Sequence, residues 1–471
     1  MMWQGNQQQQ IILVFGGLCL AATVAVSLPN PYHLVNKFKP NLKLNKIKNL
    51  LSRIPRIGGT KVGKPLVREG RCIYLDYAAT CPIYPEVTKA MIPYLQRYWG
   101  NPSSGHVYGV KAANGVARAR LEIAKLLDAD ISEIIFCSCG SEVDNWAITG
   151  ALQNERNHVI TTAIEHPAIL ACTDHLQAIG IANISIIGCD DLGRVSPQTI
   201  ADAVIPGKTA IVSVMLANNE IGAIQDITTI VRLVKAKDPQ ILVHTDAAQA
   251  IGKIPVNVQN LGVDLLTLVG HKIGAPKGCA VLYIRKGVNL TKFLHGGGQE
   301  FNRRAGTESV PLIVAMGEAA RIWNQEGIQI AQHSTRMRDR LAARLRDLLS
   351  PSGLPLRVNG PLAAGLFDAA LPNVLSIAVG GISASSILAT LREDLAASAA
   401  AACHSDSVAS PVLKAIHLSP SYASGTFRLS VGRHTTQKEI DQAADLLASA
   451  ILQQVWHSPP PLKPKSKVQQ P

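Results

Sequence analysis

A lysine and an aspartate that follow two apolar segments could together hold a cofactor. Lys272 closely follows the run Leu265 to Val269, and Asp246 comes directly after the run Ile241 to Thr245. Both runs are short and rich in aliphatic residues, which predicts buried strands of a parallel sheet. Open α/β sheets bind ligands at the carboxyl ends of their strands. An amine and a carboxylate at that edge match pyridoxal 5'-phosphate, whose aldehyde binds a lysine and whose pyridine nitrogen pairs with an acid.

Polar residues after other strand-like runs add to this predicted site. Gly140 and Ser141 lie between a run and a helix, where backbone N–H groups and a hydroxyl can bind a phosphate. His166 ends another run, and its imidazole could stack on a pyridine ring or transfer protons. Asn219 follows a third run, and Gln249 lies one helical turn after the aspartate, where it could donate to a phenolic oxygen. Each residue alone could be a helix cap or a turn residue, but their shared position at strand ends favours a binding site.

Strand-like runs alternate with helical stretches through the middle of the chain. The strand-like runs are Ile134 to Ser138, Val159 to Thr162, Ile184 to Ile187, Ala210 to Ala217, Ile241 to Thr245, Leu265 to Val269 and Cys279 to Ile284. Helical candidates between them are Ala112 to Leu127, Pro167 to Ile179 and Ile227 to Lys237. This alternation predicts an α/β fold in which a mostly parallel seven-stranded sheet is covered by helices.

The pattern changes after about Pro311, which predicts a second domain of the α+β class. A long helix runs through Arg346 and is followed by short strands and a helix near Ser385 to Arg392. The predicted organisation is an apolar segment at 1–28, a basic Pro- and Gly-containing linker at 29–68, a large cofactor-binding domain at 69–310, a small domain at 311–457 and a disordered tail at 458–471. Residues 69–90 are alternatively expected to pack with the small domain.

The charge of the chain is concentrated at its two ends. The net charge is +13 over 471 residues. No acidic residue precedes Glu69, whereas ten Lys or Arg residues lie between Lys37 and Arg68, and three more lysines lie in the C-terminal tail. The body of the chain is therefore close to neutral, and we expect no nucleic-acid partner.

The cysteines favour a reducing compartment for the folded body. They are odd in number, and their spacing is not that of a disulfide framework. The nine positions are Cys19, Cys72, Cys81, Cys137, Cys139, Cys172, Cys189, Cys279 and Cys403. Two of them, Cys137 and Cys139, are spaced like half of a metal site, but no second pair accompanies them, so we expect no metal.

An apolar stretch from Ile11 to Leu28 reaches the lower limit for a membrane span and is followed by the basic run. This order of charge favours a retained anchor with the body in the cytosol. A secretory signal usually carries its positive charge before the apolar core, and here the first ten residues have none. The alternative is a mitochondrial targeting signal, because residues 33–64 are basic and lack acids, although they are richer in Lys and Asn than in Arg and Ser.

The motifs of residues 73–448 resemble those of class V aminotransferase-fold enzymes of the cysteine desulfurase and selenocysteine lyase family, with selenocysteine lyase the closer match. The matching segments, in chain order, are Tyr74 to Thr80, Gly100 to Ser104, Asn218 to Gly222, His244 to Gln249, Gly270 to Lys272, Gly296 to Glu300, Arg304 to Glu308, Ala402 to Ser405 and Arg428 to Arg433. The resemblance implies a pyridoxal-phosphate-dependent transferase of fold type I, with a large domain and a smaller α+β domain.

Carried over by position, the resemblance implies a role for each predicted site residue. Lys272 would bind the cofactor covalently, Asp246 would pair with its pyridinium nitrogen, and Gln249 would contact its phenolic oxygen. His166 would stack on the ring and assist proton transfer. Asn219 would contact the cofactor and orient the substrate.

The resemblance also implies a substrate carboxylate site and a phosphate site. Arg428 would grip the substrate carboxylate with two parallel hydrogen bonds. The phosphate would be held by Gly140, Ser141 and His271 and by Thr307 of the partner subunit. The last contact implies a homodimer.

Cys403 matches the catalytic cysteine of the family. It lies in a segment of small and polar residues, Ser398 to Asp406. In that role its thiolate attacks the sulfur, or acts on the selenium, of L-cysteine or L-selenocysteine and leaves L-alanine. The resemblance thus implies an enzyme of sulfur metabolism and iron–sulfur cluster assembly that passes sulfur or selenium to an acceptor protein.

Two other functions remain open from the sequence. Cys139, Ala400 and Ala401 stand where the family commonly has glycines. These departures leave open a catalytically impaired, membrane-tethered scaffold for sulfur transfer. A related transaminase or β-lyase, for which Cys403 would be dispensable, is the other alternative.

Overall fold

The structure is a computed structural model, and it describes residues 14–15, 18–19, 72–399 and 410–457. The chain forms two compact units, Met1–Leu66 and Val67–Pro471. In the first unit, β1 (Val14–Phe15) pairs with β2 (Leu18–Cys19) in antiparallel fashion. The rest of the predicted anchor, the linker up to residue 68 and the tail from residue 458 lie outside the described residues. No helix within the described ranges has the length and apolar character needed to cross a membrane.

A seven-stranded sheet forms the centre of the second unit. Its strands are β4 (Ile134–Cys137), β5 (His158–Thr162), β6 (Asn183–Ile187), β7 (Thr209–Ser213), β8 (Leu242–Asp246), β9 (Leu265–Val269) and β10 (Ala280–Ile284). They are arranged in the order β4-β10-β9-β8-β7-β5-β6, and only β10 runs against its neighbours. The predicted mostly parallel seven-stranded sheet is therefore confirmed.

The strands of this sheet are apolar because helices cover both of its faces. All residues of β5, β7, β9 and β10 are buried. The helices of this part are α1 (Pro85–Gln96), α2 (Val107–Leu127), α3 (Gly140–Ala151), α4 (Pro167–Ala178), α5 (Pro197–Asp202), α6 (Ile227–Lys237) and α7 (Val258–Leu261). Several begin at a side-chain cap, as α6 does where Asp226 accepts from the Thr229 N–H.

A second, four-stranded antiparallel sheet lies in the C-terminal part. Its strands are β11 (Leu356–Val358), β12 (Val374–Val379), β14 (Ser398–Ala399) and β15 (Thr426–Ser430), in the order β11-β12-β15-β14. A separate pair joins β3 (Ile73–Tyr74) to β13 (Leu395–Ala396) in parallel. Through this pair the first described residues of the body reach the small sheet, and Ile73 and Leu75 are buried in its core.

One long helix runs through both cores. The helices of the C-terminal part are α8 (Val310–Leu349), α9 (Ala384–Thr390), α10 (Pro411–Ala415), α11 (Pro420–Ser424) and α12 (Gln437–His457). The first half of α8 buries Met316 and Trp323 in the core below the large sheet. Its second half buries Leu341 and Leu345 in the core of the small sheet. The small domain is therefore joined to the large one by continuous helix as well as by strand pairing.

The observed elements differ from the predicted runs mainly at their ends. The predicted run Ala210 to Ala217 ends as a strand at Ser213. Beyond that point the chain still donates from Val214 and Leu216 to the carbonyls of β8, so it remains extended beside the strand. It then turns, and Ala217 forms a bridge with Ile224. This turn brings Asn219 to the edge where β8 ends.

Candidate active site

The Lys272 amine is held at the carboxyl edge of the large sheet by main-chain carbonyls. Lys272 ends a short 3₁₀ turn, Gly270–Lys272, that follows β9 directly. Its Nζ donates to the carbonyl of Ala78 at 2.5 Å and to that of Ala79 at 2.8 Å. Burial, followed by the nearby positive charges, lowers the pKa of this amine to about 8. About a tenth of the amine is therefore uncharged at pH 7.

Asp246 is a buried carboxylate on the neighbouring strand. It is the last residue of β8, and its Oδ1 accepts from the Ala248 N–H at 2.8 Å. Burial raises its pKa, whereas that N–H and the charges of His166 and Lys272 lower it. A carboxylate in this position gains from a further cationic partner, as a pyridinium nitrogen would be.

His166 caps the helix that follows β5, and its neutral form has a defined tautomer. Its Nδ1 accepts from the Ala168 N–H at 3.1 Å, so the neutral ring carries its proton on Nε2. The ring is solvent-exposed, yet protein atoms surround it closely enough that desolvation lowers its pKa. The charge of Asp246 opposes that shift and the charge of Lys272 adds to it. Three predicted residues, on three different strand ends, thus interact in one place.

Gln249 lies beneath the same edge. Its Nε2 donates to the Ala78 carbonyl at 2.9 Å, the carbonyl that also accepts from Lys272. Its Oε1 is buried and has no partner among the described residues. The second hydrogen of its amide can still be donated to an oxygen of a ligand.

The predicted phosphate turn is an uncapped helix N-terminus. Cys139 occupies the N-cap position of α3 with an extended φ of −161° and makes no side-chain hydrogen bond to the helix, so the first N–H groups have no side-chain cap. Gly140 approaches β9 closely, because a Cβ there would lie 3.0 Å from a Val269 methyl group. Ser141 follows in the first turn. His271, two residues after Val269, contacts Thr80 through Nδ1 and Oγ1 at 3.2 Å.

The segment that carries Thr307 is tied to this helix N-terminus. Arg304 donates to Glu142 in the first turn of α3 at 2.8 Å, and the same carboxylate accepts from the Ser138 N–H at 2.7 Å. Thr307 itself is exposed. The predicted phosphate contact from Thr307 of the partner subunit therefore stays a prediction.

Arg428 reaches the site from the small sheet, and it already has partners. Its Nη2 donates to Asp76 Oδ1 and to Ser398 Oγ, both at 2.9 Å, and its Nη1 donates to the Asn219 carbonyl at 3.2 Å. Its Nε is buried without a partner among the described residues. Asn219 lies in a turn that the Asn218 side chain stabilises: its Oδ1 accepts from the N–H groups of Glu220 and Ile221. Cys403, by contrast, lies in the stretch 400–409, outside the described residues.

A family model described as aminotransferase class-V matches residues 73–443. This chain belongs to the class-V aminotransferase family. Within that family, the cysteine desulfurase of Trichormus azollae is 40% identical over 383 residues, covering 80% of this chain and 92% of that protein. The cysteine desulfurase IscS of Methanosarcina thermophila is 38% identical over 408 residues, covering 86% of this chain and 97% of that protein. The solved structure of a NifS-like protein matches with a TM-score of 0.74 at 33% identity, covering 81% of this chain and 99% of that one. The chain is thus a class-V aminotransferase of the cysteine desulfurase group.

The residues of this class-V aminotransferase fit pyridoxal 5'-phosphate, the cofactor of its family. The uncapped start of α3 can bind the phosphate, and the Lys272 amine can hold the aldehyde. Asp246 offers its buried carboxylate to the ring nitrogen, and Gln249 retains donor capacity for the phenolic oxygen. The buried Gln249 Oε1 has no partner in the described part of the chain, so a ligand group that donates a hydrogen bond there would satisfy it.

The structure of this class-V aminotransferase also contains polar residues that the sequence patterns did not single out. Below the site, Ser213, His244, Thr267 and Asp144 form a buried chain of hydrogen bonds. Burial lowers the pKa of His244 to about 3, so its ring is neutral and donates from Nε2 to Thr267, which donates in turn to Asp144 at 2.7 Å. His244 and Thr267 lie within the apolar runs of β8 and β9, and nothing in the sequence distinguishes them from other strand residues there.

Glu165 is a second buried acid beside the site. Its Oε1 accepts from Thr162 Oγ1 at 2.7 Å and from the Met215 N–H at 2.9 Å. Burial raises its pKa to about 8, and the charge of Asp246 adds to the shift. In the sequence, only its position directly before His166 indicated that Glu165 lies near the site.

Proposed function

We propose that this chain is a pyridoxal-phosphate-dependent cysteine desulfurase, which removes sulfur from L-cysteine and leaves L-alanine. The observation that carries the proposal is the approach of Arg428 to the edge that holds Lys272. Arg428 bonds the Asn219 carbonyl, and its charge contributes to lowering the pKa of Lys272. A guanidinium beside a cofactor-binding amine selects an α-amino acid, because it binds a carboxylate while the amine and the cofactor deal with the amino group.

The residues divide the work of such a reaction between them. When bound, pyridoxal 5'-phosphate serves as the electron sink for the bonds broken at the substrate. Arg428 binds the substrate carboxylate, and the uncharged Lys272 amine is placed to take the proton from the substrate Cα. His166 carries a proton on Nε2 in its neutral form and can exchange it with the substrate.

Cys403 is the acceptor in this proposal. Its thiolate attacks the substrate sulfur, a sulfur–sulfur bond forms, and the bond from that sulfur to the substrate Cβ breaks. The electron pair of the broken bond stays with the three-carbon fragment, which takes up a proton and leaves as alanine. Cysteine and one thiol are thereby converted to alanine and one persulfide, with no external oxidant or reductant.

Alanine formation from L-cysteine in wild type and in Cys403→Ala tests this function. We expect purified wild type to absorb as a pyridoxal-phosphate enzyme and to produce alanine, and Cys403→Ala to retain the absorbance but lose persulfide formation. Cys189→Ala, a change at a half-buried thiol that donates to the carbonyl of Ala415 at the end of α10, is the matched control. Full alanine production by Cys403→Ala would reject Cys403 as the sulfur acceptor. Keto-acid products in place of alanine would indicate a transaminase or β-lyase, and absent cofactor binding would indicate a scaffold.

We propose L-selenocysteine as a second substrate. The support is the resemblance of the sequence motifs to selenocysteine lyase, together with the apolar Val269 that lies against the phosphate turn. Measuring alanine formation from both amino acids decides the preference. A rate with L-selenocysteine below that with L-cysteine would reject the closer likeness to the lyase.

We also propose that the enzyme acts as a homodimer. An exposed apolar surface on the first turns of α2 and the segment before it supports this, with Trp99 67% and Tyr108 50% exposed and their rings stacked at 5.1 Å. Light scattering of purified protein would show a mass near twice 50.2 kDa. A monomer that retains full activity would contradict both the dimer and the contact from Thr307 of the partner subunit.

The location and partners complete the proposal. Sulfur acceptor proteins that supply iron–sulfur cluster assembly would take the persulfide. The apolar stretch 11–28 and the basic residues after it support an anchor with the body in the cytosol, and a mitochondrial location is the alternative. Release of intact protein from membranes by alkaline carbonate would contradict an anchor.

A further inference from the structure

A second lysine lies buried beneath Lys272 and has no role in the chemistry described so far. Lys253 is only 7% exposed. Its Nζ donates to the Lys272 carbonyl at 3.0 Å and to the Ile251 carbonyl at 3.4 Å. Within the described part of the chain no carboxylate pairs with it. A buried lysine without a counter-ion is costly, which makes a functional role worth testing.

The position of Lys253 follows from the same segment that supplies the cofactor contacts. Asp246, Gln249 and Lys253 succeed one another in the turns after β8. The backbone before Lys253 takes a left-handed conformation at Gly252, with φ +76°, where any side chain would collide with the Trp323 ring. Trp323 in turn donates to the Ile273 carbonyl, the residue after Lys272. The Lys253 side chain is therefore fixed under the turn that carries the reactive amine.

We propose that Lys253 is a positioning residue for Lys272: it holds the Lys272 main chain in place and keeps a positive charge below the Lys272 amine, so that this amine is the one that loses its proton and captures the cofactor. The Lys272 carbonyl accepts from Cys81 Sγ at 3.1 Å as well as from Lys253. Two donors on one carbonyl fix the turn, but only the lysine brings a charge. This inference rests on cofactor capture by Lys272 and does not depend on the identity of the amino-acid substrate.

The groups that face the two lysines are consistent with this assignment. For Lys272, burial is the largest cause of its lowered pKa, the charge of Lys253 comes next and that of Arg428 follows, while Cys81 and Asp246 act in the opposite direction. For Lys253, burial lowers the pKa and Cys81 opposes the shift. Two histidines also lie close to the pair. Burial lowers the pKa of His166, and the charge of Lys272 adds to that shift. Burial also lowers the pKa of His271, as do the charges of Lys272, Lys277 and Lys253. Both amines donate to two carbonyls and lie near Cys81, but Lys272 has the charges of Lys253 and Arg428 beside it as well as that of Asp246.

The test measures the Lys272 amine directly, in full-length protein freed of its cofactor. Trace acetylation at a series of pH values, followed by mass spectrometry of the peptide that contains Lys272, gives the pH at which this amine becomes reactive. Lys253→Gln removes the charge and keeps a hydrogen-bond donor, and Lys253→Met removes both. Cys81→Ala removes the other donor to the same carbonyl and leaves the charge. Lys237→Met, at an exposed lysine that pairs with Asp202 at 3.7 Å, controls for the loss of one positive charge elsewhere.

We expect acetylation of Lys272 at pH 7 to fall about tenfold in both Lys253 variants, equivalent to a rise of roughly one unit in its pKa. Lys237→Met should keep the wild-type profile, and Cys81→Ala should not reduce the acetylation of Lys272, because Cys81 raises the pKa of that amine. A wild-type profile in Lys253→Gln would overturn the proposal, and so would an equal shift in Cys81→Ala, because that result would assign the effect to packing. Should Lys253→Met fail to fold, Lys253→Gln still decides the question. The assay requires no turnover, so failure of the desulfurase activity would leave its outcome unaffected.

Discussion

The two sheets contribute to the site in different ways. On the large sheet, Lys272, Asp246 and His166 lie at or just after the carboxyl ends of three strands, so each is positioned by its strand. On the small sheet, Arg428 stands within β15 and is positioned by partners distant in the chain, with Asp76 and Ser398 on either side of its Nη2. The first arrangement depends on local order along the chain. The second depends on the small domain folding correctly against the start of the body.

This difference indicates where the site tolerates change. The large-sheet residues lie on buried parallel strands, which are the most stable part of such a fold. The arginine instead depends on β14, a strand of only two residues, and on its bonds to Asp76 and Ser398. The substrate-binding side is therefore the side that we expect to adjust, and the cofactor-binding side is the side that we expect to stay fixed.

The largest expected effect comes from removing Lys272 on the cofactor-binding side. Lys272→Ala removes the amine that holds the cofactor and the base placed near the substrate Cα, so activity should fall by about 10³-fold or more. Absorbance of purified protein and alanine formation measure both losses. Lys237→Ala, at an exposed lysine, should leave both unchanged. Substantial activity in Lys272→Ala would show that another amine serves the cofactor.

A substitution of Arg428 on the substrate-binding side should reduce activity less than the loss of Lys272. Arg428→Lys keeps a positive charge but loses the planar fork, which bonds Asp76 and Ser398 in the free protein and would exchange them for two bonds to the substrate carboxylate. We expect kcat/KM for L-cysteine to fall about 100-fold, mostly through KM, with the cofactor absorbance retained. Arg433→Lys, which changes an arginine paired with Glu86 and Glu326, is the control. A loss confined to kcat would contradict a binding role.

The pH dependence of cofactor capture sharpens the same comparison. The Lys272 amine has a pKa lowered to about 8, and only its uncharged form reacts with an aldehyde. The rate at which cofactor-free protein regains its absorbance should therefore rise about tenfold between pH 7 and pH 9 and level off above the pKa. Stopped-flow absorbance measures it. A rate still rising steeply above pH 10 would show an ordinary lysine.

The smallest effect is expected at Glu165, which supports the fixed side without touching the substrate in this scheme. Because its pKa is raised to about 8 in the folded chain, its contribution to stability is fully present below the pKa of an unfolded glutamate and is lost as the pH rises toward 8. The melting temperature of Glu165→Gln should therefore fall less than that of wild type when the pH is raised from 5 to 8. Its activity at pH 7 should change by about twofold or less. Glu155→Gln, at an exposed site, should follow the wild-type curve.

The sequence could predict the fixed side because short apolar runs followed by polar residues imply strand ends, and strand ends meet at one edge. Lys272, Asp246 and His166 follow that rule. The Arg428–Asp76 pair does not, since its members are 352 positions apart and only the folded small domain brings them together. The series of hydrogen bonds that links His244 to Asp144 could not be predicted for a different reason. Its polar residues lie inside apolar runs, and nothing local distinguishes a buried histidine with partners from one without.

Helix α8 has a consequence for how the molecule unfolds. A helix of 40 residues extends for about 60 Å, and this one contributes its first half to one core and its second half to the other. Neither core can melt without exposing apolar residues of the shared helix, so the two domains should lose their structure together. Calorimetry of the body of this protein should then record one cooperative transition, and a weakened small domain should lower the melting temperature of the whole.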